Sequence, residues 1–291
     1  MALDLAAGYA ASERVVREAN SSFGLGMRLF PAASRPHIYA IYAFFRHTDD
    51  LVDGEGDLVS KLEALENWRG QLYDALEGRF DDAPPFLSAV ADTAKRHELP
   101  CDLFDDCIDA CATDAGPVRM EDWEDLHNYC HGVAGTVGEA CLRILGYGQS
   151  SEALRLSEIN GRAVQLTNIL RDVDEDLGLD RVYLPQTLLA NFGVESEDFS
   201  LPERPPRLRD ALLHASTLAV ADFQAAEPMF EHLRPADRAP IVALTLRYRH
   251  LLGRLQADRF GTHGRMALGT GAKLKVLMAA KLSRWKTTWR E

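Results

Sequence analysis

Long apolar runs are missing from this 291-residue sequence, and positive charge is scarce. No run of about 18 apolar residues occurs, which predicts that the chain has no transmembrane helix. The beginning, Met-Ala-Leu-Asp, lacks a basic segment, so we expect no secretory signal. The chain carries 32 Lys and Arg against 44 Asp and Glu, a net charge of −12. That charge argues against nonspecific binding to nucleic acid, and an anionic substrate would need local arginines or metal ions to enter.

Cysteine is also scarce, and its spacing excludes the common zinc motifs. The five cysteines contain no C-x-x-C pair; they are Cys101, Cys107, Cys111, Cys130 and Cys141. An odd number in a chain of this length is typical of a reducing compartment. We therefore predict small core residues rather than disulfides, and a cytoplasmic protein.

Segments with strand-like alternation are few, and no glycine-rich strand-turn-helix segment occurs. Apolar residues recur instead with helical spacing, as in the face formed by Leu58, Leu62, Leu65, Trp68, Leu72 and Leu76. Further helices are predicted at 5–19, 123–146, about 208–233 and 237–258. With 46% hydrophobic residues the chain can bury a large core. The pattern predicts an all-α fold, one orthogonal helical bundle formed by a single domain over residues 1–291, without an internal repeat.

The most informative pattern lies in residues 161–185. Beside an apolar face, polar side chains recur at spacings of three or four; they are Gln165, Asn168, Asp172 and Asp176. Four residues along a helix climb about 6 Å, so these side chains form a column of oxygen ligands. Like charges stacked at i, i+4 cost roughly 0.2–0.5 kcal/mol per pair in a bare helix. A positive partner is therefore expected, and Arg171 lies one position away.

A second acidic column lies upstream, in residues 39–53. Asp49 and Asp53 are four residues apart, and Tyr42 and Arg46 extend the same face backward, one turn at a time. Mg²⁺ prefers hard oxygen ligands and usually takes one or two carboxylates together with phosphate and water. Arginines add charge-assisted hydrogen bonds to phosphate. Two such columns on separate helices predict a site where Mg²⁺ bridges to diphosphates.

Three segments resemble the squalene/phytoene synthase family. Asp49-x-x-x-Asp53, preceded by Tyr-Ala-Phe-Phe-Arg, is similar to the family's first aspartate motif. Residues 165–176, Gln-Leu-Thr-Asn-Ile-Leu-Arg-Asp-Val-Asp-Glu-Asp, are similar to the second, with Arg-Val-Tyr-Leu-Pro following at 181–185. Tyr-Cys-His-Gly-Val-Ala-Gly-Thr-Val-Gly at 129–138 resembles the signature between them. The three occur in the family's order, and the likeness extends over nearly the whole chain.

The resemblance implies the isoprenoid synthase type I fold, which is all-α with a central cavity. It also implies a Mg²⁺-dependent head-to-head (1′-1) condensation of two prenyl diphosphates, either farnesyl or geranylgeranyl diphosphate. A cyclopropylcarbinyl diphosphate would lead to presqualene diphosphate, squalene or dehydrosqualene, or phytoene. Mn²⁺ could replace Mg²⁺. The use of NADPH stays open, because the sequence has no dinucleotide fingerprint and the family's reductive members show none either.

The resemblance also implies roles for individual residues. Metal ligands would be Asp49, Asp53, Asn168, Asp172 and Asp176, and the four aspartates would be catalytic together with Tyr129. Contacts to diphosphate would come from Ser21, Ser22, Tyr42, Arg46, Gln165, Asn168, Arg171, Tyr248 and Arg265. Ser21 or Ser22 could instead be a plain helix N-cap, and Tyr129 could cap the core with its hydroxyl in water. Phe23 and Met27 could line a prenyl channel or belong to the core.

Other segments have competing interpretations. Asp105 and Asp109 repeat the spacing of the first column but lack an Arg or Tyr one turn earlier, which favours a solvated acidic face. Gly132, Gly135 and Gly138 cost helix stability, which indicates close packing or a pocket. Residues 269–273 hint at a phosphate loop but lack the spacing of a Walker motif.

The basic tail, residues 273–290, suits either a helix at the inner membrane surface or a last helix docked on the bundle with its basic face in water. Two other functions also have to be weighed against head-to-head condensation. The first is a catalytically silent protein that binds prenyl lipid or assists an assembly, which would be expected to lose the motif aspartates. The second is a terpene cyclase or a chain-elongating prenyltransferase, which would not be expected to carry the column from Asn168 to Asp176 with Arg-Val-Tyr-Leu-Pro after it.

Overall fold

The structure, a computed structural model, describes residues 5–19, 24–54 and 56–284. Its main helices are α1 (Leu5–Glu18), α2 (Gly24–Met27), α3 (Arg35–Asp53), α4 (Leu58–Leu76), α5 (Leu87–Arg96), α6 (Asp102–Thr113), α7 (Trp123–Cys130), α8 (Thr136–Ile144), α9 (Ser151–Gly178), α10 (Gln186–Asn191), α11 (Pro206–Ala226), α12 (Met229–His232), α13 (Pro235–Ala257) and α14 (Thr270–Ser283). A π-helical segment (His131–Gly135) joins α7 to α8, and a 3₁₀ turn spans Ser196–Ser200. The predicted all-α fold is confirmed.

Two apolar clusters form the core. One is centred on α3, α4 and α5, where Phe44 stacks on Trp68 with ring centroids 5.3 Å apart. The other lies around α9, α11 and α13 and includes Leu170, Leu212 and Tyr248. Helix α9 packs against α8, α11, α13 and the π segment. This central position explains why apolar residues such as Leu156, Leu166 and Leu170 are buried along the length of α9.

The sequence predicts helix positions better than helix breaks. Helix α4 occupies the predicted region, but the helix expected at about 208–233 is divided into α11 and α12. Pro228 stands at the N-cap of α12. Because proline has no N–H to donate, it cannot continue the hydrogen bonding of α11. The segment predicted as a helix at 123–146 is interrupted by the π segment. The periodicity of the sequence does not reveal the wider turn of this segment.

The small residues of the 129–138 segment allow close packing, as their cost in a helix suggested. A Cβ added at Gly132 would lie 2.4 Å from the Cβ of Ala110 and 2.5 Å from the carbonyl oxygen of Asp106 on α6. A Cβ at Gly138 would lie 2.6 Å from Oγ of Ser157 on α9. The π segment and the start of α8 are therefore held between α6 and α9.

A two-residue parallel bridge connects β1 (Val118–Arg119) to β2 (Arg181–Val182), with Val118 opposite Arg181. Strand β1 follows α6, and β2 follows α9. The bridge fixes the end of α9 against the end of α6. It thereby buries the Arg181 side chain beside the predicted acidic columns.

The prediction of a solvated acidic face on α6 is wrong for Asp105. Its side chain accepts from Nη1 of Arg69 at 2.5 Å and from the hydroxyl of Tyr73 at 2.6 Å, both on α4. Asp109 accepts from Nη2 of the same arginine at 2.5 Å. The arginine and tyrosine that the sequence lacks on α6 are thus supplied by the neighbouring helix, and this pair faces away from the columns.

The described residues contain no helix with the length and apolar character needed to cross a bilayer.

Candidate active site

A cavity of about 740 Å³ lies between α3, the π segment, α9, α13 and α14. Six of the predicted site residues are among its lining residues, namely Tyr42, Arg46, Asp49, Tyr129, Gln165 and Asn168. Much of the remaining wall is apolar and includes Ile41, Val137 and Leu244. Residues from both predicted columns therefore share one hollow.

The first column lies at the end of α3. Arg46 donates to Asp49, with Nη1 and Oδ2 3.2 Å apart, and to Asp50. Burial and the neighbouring charge of Asp53 raise the pKa of Asp49 to about 6. Asp53 itself accepts from Nη1 of Arg181 at 3.2 Å. The column therefore holds more negative charge than its arginines neutralise.

The second column lies on α9. Asn168 donates through Nδ2 to Oε1 of Gln165 at 3.2 Å, but its buried Oδ1 has no hydrogen-bond partner. Asp172 accepts from Nε of Arg171 at 2.6 Å. Burial, and then the charges of Asp172 and Asp114, raise the pKa of Asp176 to about 7. A buried acceptor without a partner and a carboxyl that resists ionisation both indicate a site for a cation.

Two residues outside the predicted set join the columns. Arg181 contacts Asp53 of the first column and also acts on Asp176 of the second, whose pKa its charge lowers. Asp114, the residue after α6, is 6% exposed, and its charge raises the pKa of both Asp49 and Asp176. The columns consequently converge, although they come from helices more than a hundred residues apart in the sequence.

Tyr129 lies in the wall of the cavity as a buried side chain. Its hydroxyl donates to Oδ2 of Asp114 at 2.8 Å, and its ring stacks on Tyr183 with centroids 4.8 Å apart. Burial and the charge of Asp114 raise the pKa of Tyr129 well above 10. Tyr129 is therefore a neutral phenol, and its hydroxyl does not cap the core in water as one interpretation had it.

A group of arginines surrounds the second column. Arg265 lies with Nε 3.3 Å from Oδ1 of Asp172 and Nη1 3.6 Å from Oε2 of Glu175. Buried Tyr248 interacts with Arg171 and helps to hold its charge. Arg247 lines the cavity, and its pKa is lowered by burial first and then by the charges of Arg171 and Arg265. Three guanidinium groups close enough to repel each other form an attractive site for an anion.

Some residues were missed, and others cannot be placed. Lys273 lines the cavity from the first turn of α14. It belongs to residues 269–273, which lack the spacing of a Walker motif. Arg247 and Lys273 share no periodic pattern with the aspartates, so only the packing of α13 and α14 reveals them. Met27 is buried and lines the cavity, as a channel residue would. Ser21, Ser22 and Phe23 lie outside the described residues.

The donor set fits Mg²⁺ held jointly by protein and substrate. All five predicted ligands offer oxygen, and the unpartnered Oδ1 of Asn168 lies in the cavity wall. Among the described residues, no three His, Cys, Asp or Glu side chains are already grouped closely enough to hold a metal. Mg²⁺ commonly takes only one or two carboxylates and completes its shell with phosphate and water. The arrangement therefore suits ions that arrive with a diphosphate.

Comparisons with known proteins bear on the family and the fold of the chain. The model of the family described as squalene/phytoene synthase matches residues 16–276. A phytoene synthase from Thermus thermophilus is 38% identical over 254 residues, which are 87% of this chain and 85% of that protein. A crystal structure of a dehydrosqualene synthase with a ligand superposes with a TM-score of 0.84 at 25% identity, covering 96% of each chain. The squalene synthase HpnC from Alicyclobacillus acidocaldarius superposes with a TM-score of 0.82 at 26% identity, covering 90% of this chain and 98% of that one.

Proposed function

Because this chain belongs to the squalene/phytoene synthase family and is a prenyltransferase, we propose that it joins two prenyl diphosphates head to head (1′-1) in the described cavity with the help of Mg²⁺. One observation carries the proposal: a cavity of about 740 Å³ has Asp49 of one column and Asn168 of the other in the same wall. A hollow of this kind has room for prenyl chains, and its polar residues suit their diphosphates.

The residues would divide the work by their chemistry. Asp49, Asp53, Asn168, Asp172 and Asp176 would hold Mg²⁺, which when bound neutralises the diphosphate as its bond to carbon breaks. Arg46 and Arg171 would donate hydrogen bonds to the phosphate oxygens. Both now pair with column carboxylates. These arginines would turn towards phosphate once a cation takes over their present partners.

The apolar wall would protect the carbocations. Loss of diphosphate from one substrate leaves an allylic cation, which the double bond of the second substrate attacks. Formation of the carbon–carbon bonds of the cyclopropane ring, with loss of a proton, gives a cyclopropylcarbinyl diphosphate. Loss of its diphosphate and rearrangement then give a linear cation, which loses a proton or, where NADPH is the co-substrate, accepts a hydride from it. Water would quench each cation, so side chains such as Ile41, Val137 and Leu244 would exclude it.

For the chain length we propose geranylgeranyl diphosphate and a phytoene-type product. The support is the 38% identity with the phytoene synthase of Thermus thermophilus. The second candidate is farnesyl diphosphate with a C30 product. It is favoured by the likeness to the dehydrosqualene synthase and squalene synthase structures, at 25% and 26% identity.

One assay tests the function and the chain length together. The protein is incubated with each diphosphate and Mg²⁺, with and without NADPH, and the released pyrophosphate and the lipid are identified. We expect release of pyrophosphate and a C40 hydrocarbon from geranylgeranyl diphosphate. A C30 lipid alone would favour the second candidate. Binding of prenyl diphosphate without any turnover would contradict the proposal and leave the silent prenyl-lipid-binding function.

Charge-removing variants test the columns. Asp49→Asn and Asp172→Asn should each abolish turnover, because each removes a metal ligand while keeping the shape of the side chain. Asp109→Asn is the matched control. Asp109 has the same spacing from Asp105 as Asp53 has from Asp49, but it contacts Arg69 and does not line the cavity. Wild-type activity in either column variant would show that the metal assignment is wrong.

A further inference from the structure

Asp114 is a buried carboxylate that the proposed chemistry does not yet use. It follows α6 directly and is 6% exposed. Burying a carboxylate is costly unless hydrogen bonds or charges compensate for the lost water. Burial raises the pKa of Asp114, while two tyrosine hydroxyls and Arg181 lower it. The side chain is thus kept in place by a dedicated set of donors.

The donors approach Asp114 from three directions. Tyr129 donates to Oδ2 at 2.8 Å and Tyr183 to Oδ1 at 2.6 Å. Arg181 donates through Nη2 to the backbone oxygen of Asp114 at 2.6 Å and through Nη1 to Asp53. The side chain therefore serves the two tyrosines, and the backbone carbonyl serves the arginine.

The Asp114 side chain determines how the hydroxyl group of Tyr129 is oriented. The hydroxyls of Tyr129 and Tyr183 each donate to a different oxygen of the Asp114 side chain, so the hydroxyl hydrogen of Tyr129 points at Asp114. With this hydrogen directed at Asp114, the phenol presents its oxygen lone pairs and its electron-rich ring faces to its other neighbours. Tyr129 is also part of the cavity wall. A polarised but neutral phenol in that wall attracts positive charge without reacting with it.

We propose that Asp114 is a positioning residue for the prenyl-joining reaction: by accepting the hydroxyl hydrogen of Tyr129 it fixes the orientation in which this phenol stabilises carbocations in the cavity. The inference rests on the proposed function. It assigns Asp114 no contact with substrate, because its effect reaches the cavity through Tyr129.

Asp114→Asn is the informative substitution. The amide keeps the size of the side chain and leaves the backbone carbonyl free to accept from Arg181. It offers only one acceptor, so its NH₂ group must face one of the two tyrosine hydroxyls. We expect kcat to fall by about tenfold or more and KM to change by less than about threefold.

A double-mutant cycle with Tyr129→Phe separates positioning from general damage. If Asp114 acts through Tyr129, Asp114→Asn should lower kcat in the wild type and have little further effect in Tyr129→Phe. Equal losses in both backgrounds, or a kcat for Asp114→Asn within about twofold of wild type, would overturn the proposal. If Asp114→Asn does not fold, Asp114→Glu replaces it in the same cycle with the same criterion.

A second, partly buried pair of the same two residue types provides the control. Tyr9 donates to Oδ2 of Asp92 at 2.7 Å, and neither residue lines the cavity. Asp92→Asn and Tyr9→Phe should show coupling in unfolding free energy but none in kcat. The stability cycle for Asp114 and Tyr129 does not depend on turnover. If the wild type converts no prenyl diphosphate, the proposed function fails, while absence of stability coupling would overturn the Asp114 contact itself.

Discussion

At the scale of single residues, the cavity wall and the two columns bring together charges of both signs. Asp49 and Asp176 have pKa values raised to about 6 and about 7, and Asn168 has a buried acceptor without a partner. The pKa of Arg247 is lowered by burial and by Arg171 and Arg265. Such arrangements destabilise a protein unless a ligand completes them, and they are therefore typical of binding sites.

Arg247 offers a test of the cationic part. Arg247→Gln should raise KM for the prenyl diphosphate about tenfold or more, because a charge-assisted hydrogen bond contributes about 1.5–3 kcal/mol. The value of kcat should stay near that of the wild type if the contact is equally strong in ground and transition states. Steady-state kinetics measure both constants.

Arg249→Gln is the matched control for this prediction. Arg249 lies two residues further along α13 and pairs with Glu227 at 2.7 Å rather than lining the cavity. The control should therefore keep the wild-type KM. If both variants raise KM equally, net charge rather than a specific contact with Arg247 is responsible.

The site residues differ in how far the sequence reveals them. Asn168, Asp172 and Asp176 could be grouped because they share one face of one helix, which spacing alone shows. Asp114 stands at the end of α6 without a periodic partner, and Arg247 lies in the predicted helix 237–258 without a pattern that marks it as a site residue. Asp105 and Asp109 have the same spacing as the first column but face α4. Spacing thus identifies a shared face, whereas tertiary packing decides what that face meets.

At the scale of elements, the contact between α9 and the π segment sets one wall of the cavity. A Cβ at Gly161 would lie 2.9 Å from the carbonyl oxygen of Ala134. Gly161→Ala should therefore force these backbones apart and lower the free energy of unfolding by about 1–3 kcal/mol. Chemical denaturation measures the change.

Gly178→Ala is the control on the same helix, since nothing lies within 4 Å of a Cβ at that position. It should leave stability unchanged or raise it by up to about 1 kcal/mol, because alanine favours helix more than glycine does. Equal effects of the two substitutions would contradict the packing argument.

The π segment could not be foreseen, because its glycines indicate close approach but not the wider turn.

Helix α14 is docked on α13, and it also presents an apolar stripe outward. Leu274, Met278 and Leu282 are more than half exposed, while Val276 and Leu277 of the same helix line the cavity. The described part of the tail, from Lys273 to Arg284, contains basic residues and no acidic one. A basic helix with an exposed apolar stripe suits an anionic lipid surface. Both interpretations of the tail therefore have a place in the structure, with docking on one face and lipid on the other.

Lipid binding by α14 can be measured by co-sedimentation with vesicles. Wild-type protein should bind vesicles containing phosphatidylglycerol more strongly than pure phosphatidylcholine, and salt should weaken this binding. Replacing Leu274, Met278 and Leu282 by Ser should abolish it. Val59→Ser on α4, a substitution at a site that is 63% exposed, is the control. Unchanged binding by the triple variant would exclude α14 as the lipid-binding element, and dimers that the triple variant loses would indicate a second copy as the partner.

At the scale of the whole molecule, the two apolar clusters meet around a cavity that the side chains do not fill. Helix α3 belongs to the first cluster and carries Asp49, and much of α9 belongs to the second and carries Asp172. The fold class and most helix positions could be predicted, because they depend on local periodicity. The size of the hollow could not, because it depends on how the helices cross.

A ligand that connects the columns should stabilise the whole fold, and Mg²⁺ with inorganic pyrophosphate is the simplest one. Mg²⁺ alone would keep most of its water, and pyrophosphate alone would meet the carboxylates of both columns. Together they satisfy both, so thermal unfolding should show a rise in Tm only when both are present. At a ligand concentration of 100 times Kd, binding contributes about 2.7 kcal/mol to the free energy of unfolding, which corresponds to several degrees in a chain of this size. Asp172→Asn should remove the shift and Asp109→Asn should retain it. An equal rise with pyrophosphate alone would mean that the arginines bind the anion without metal, and that the carboxylate columns serve another purpose.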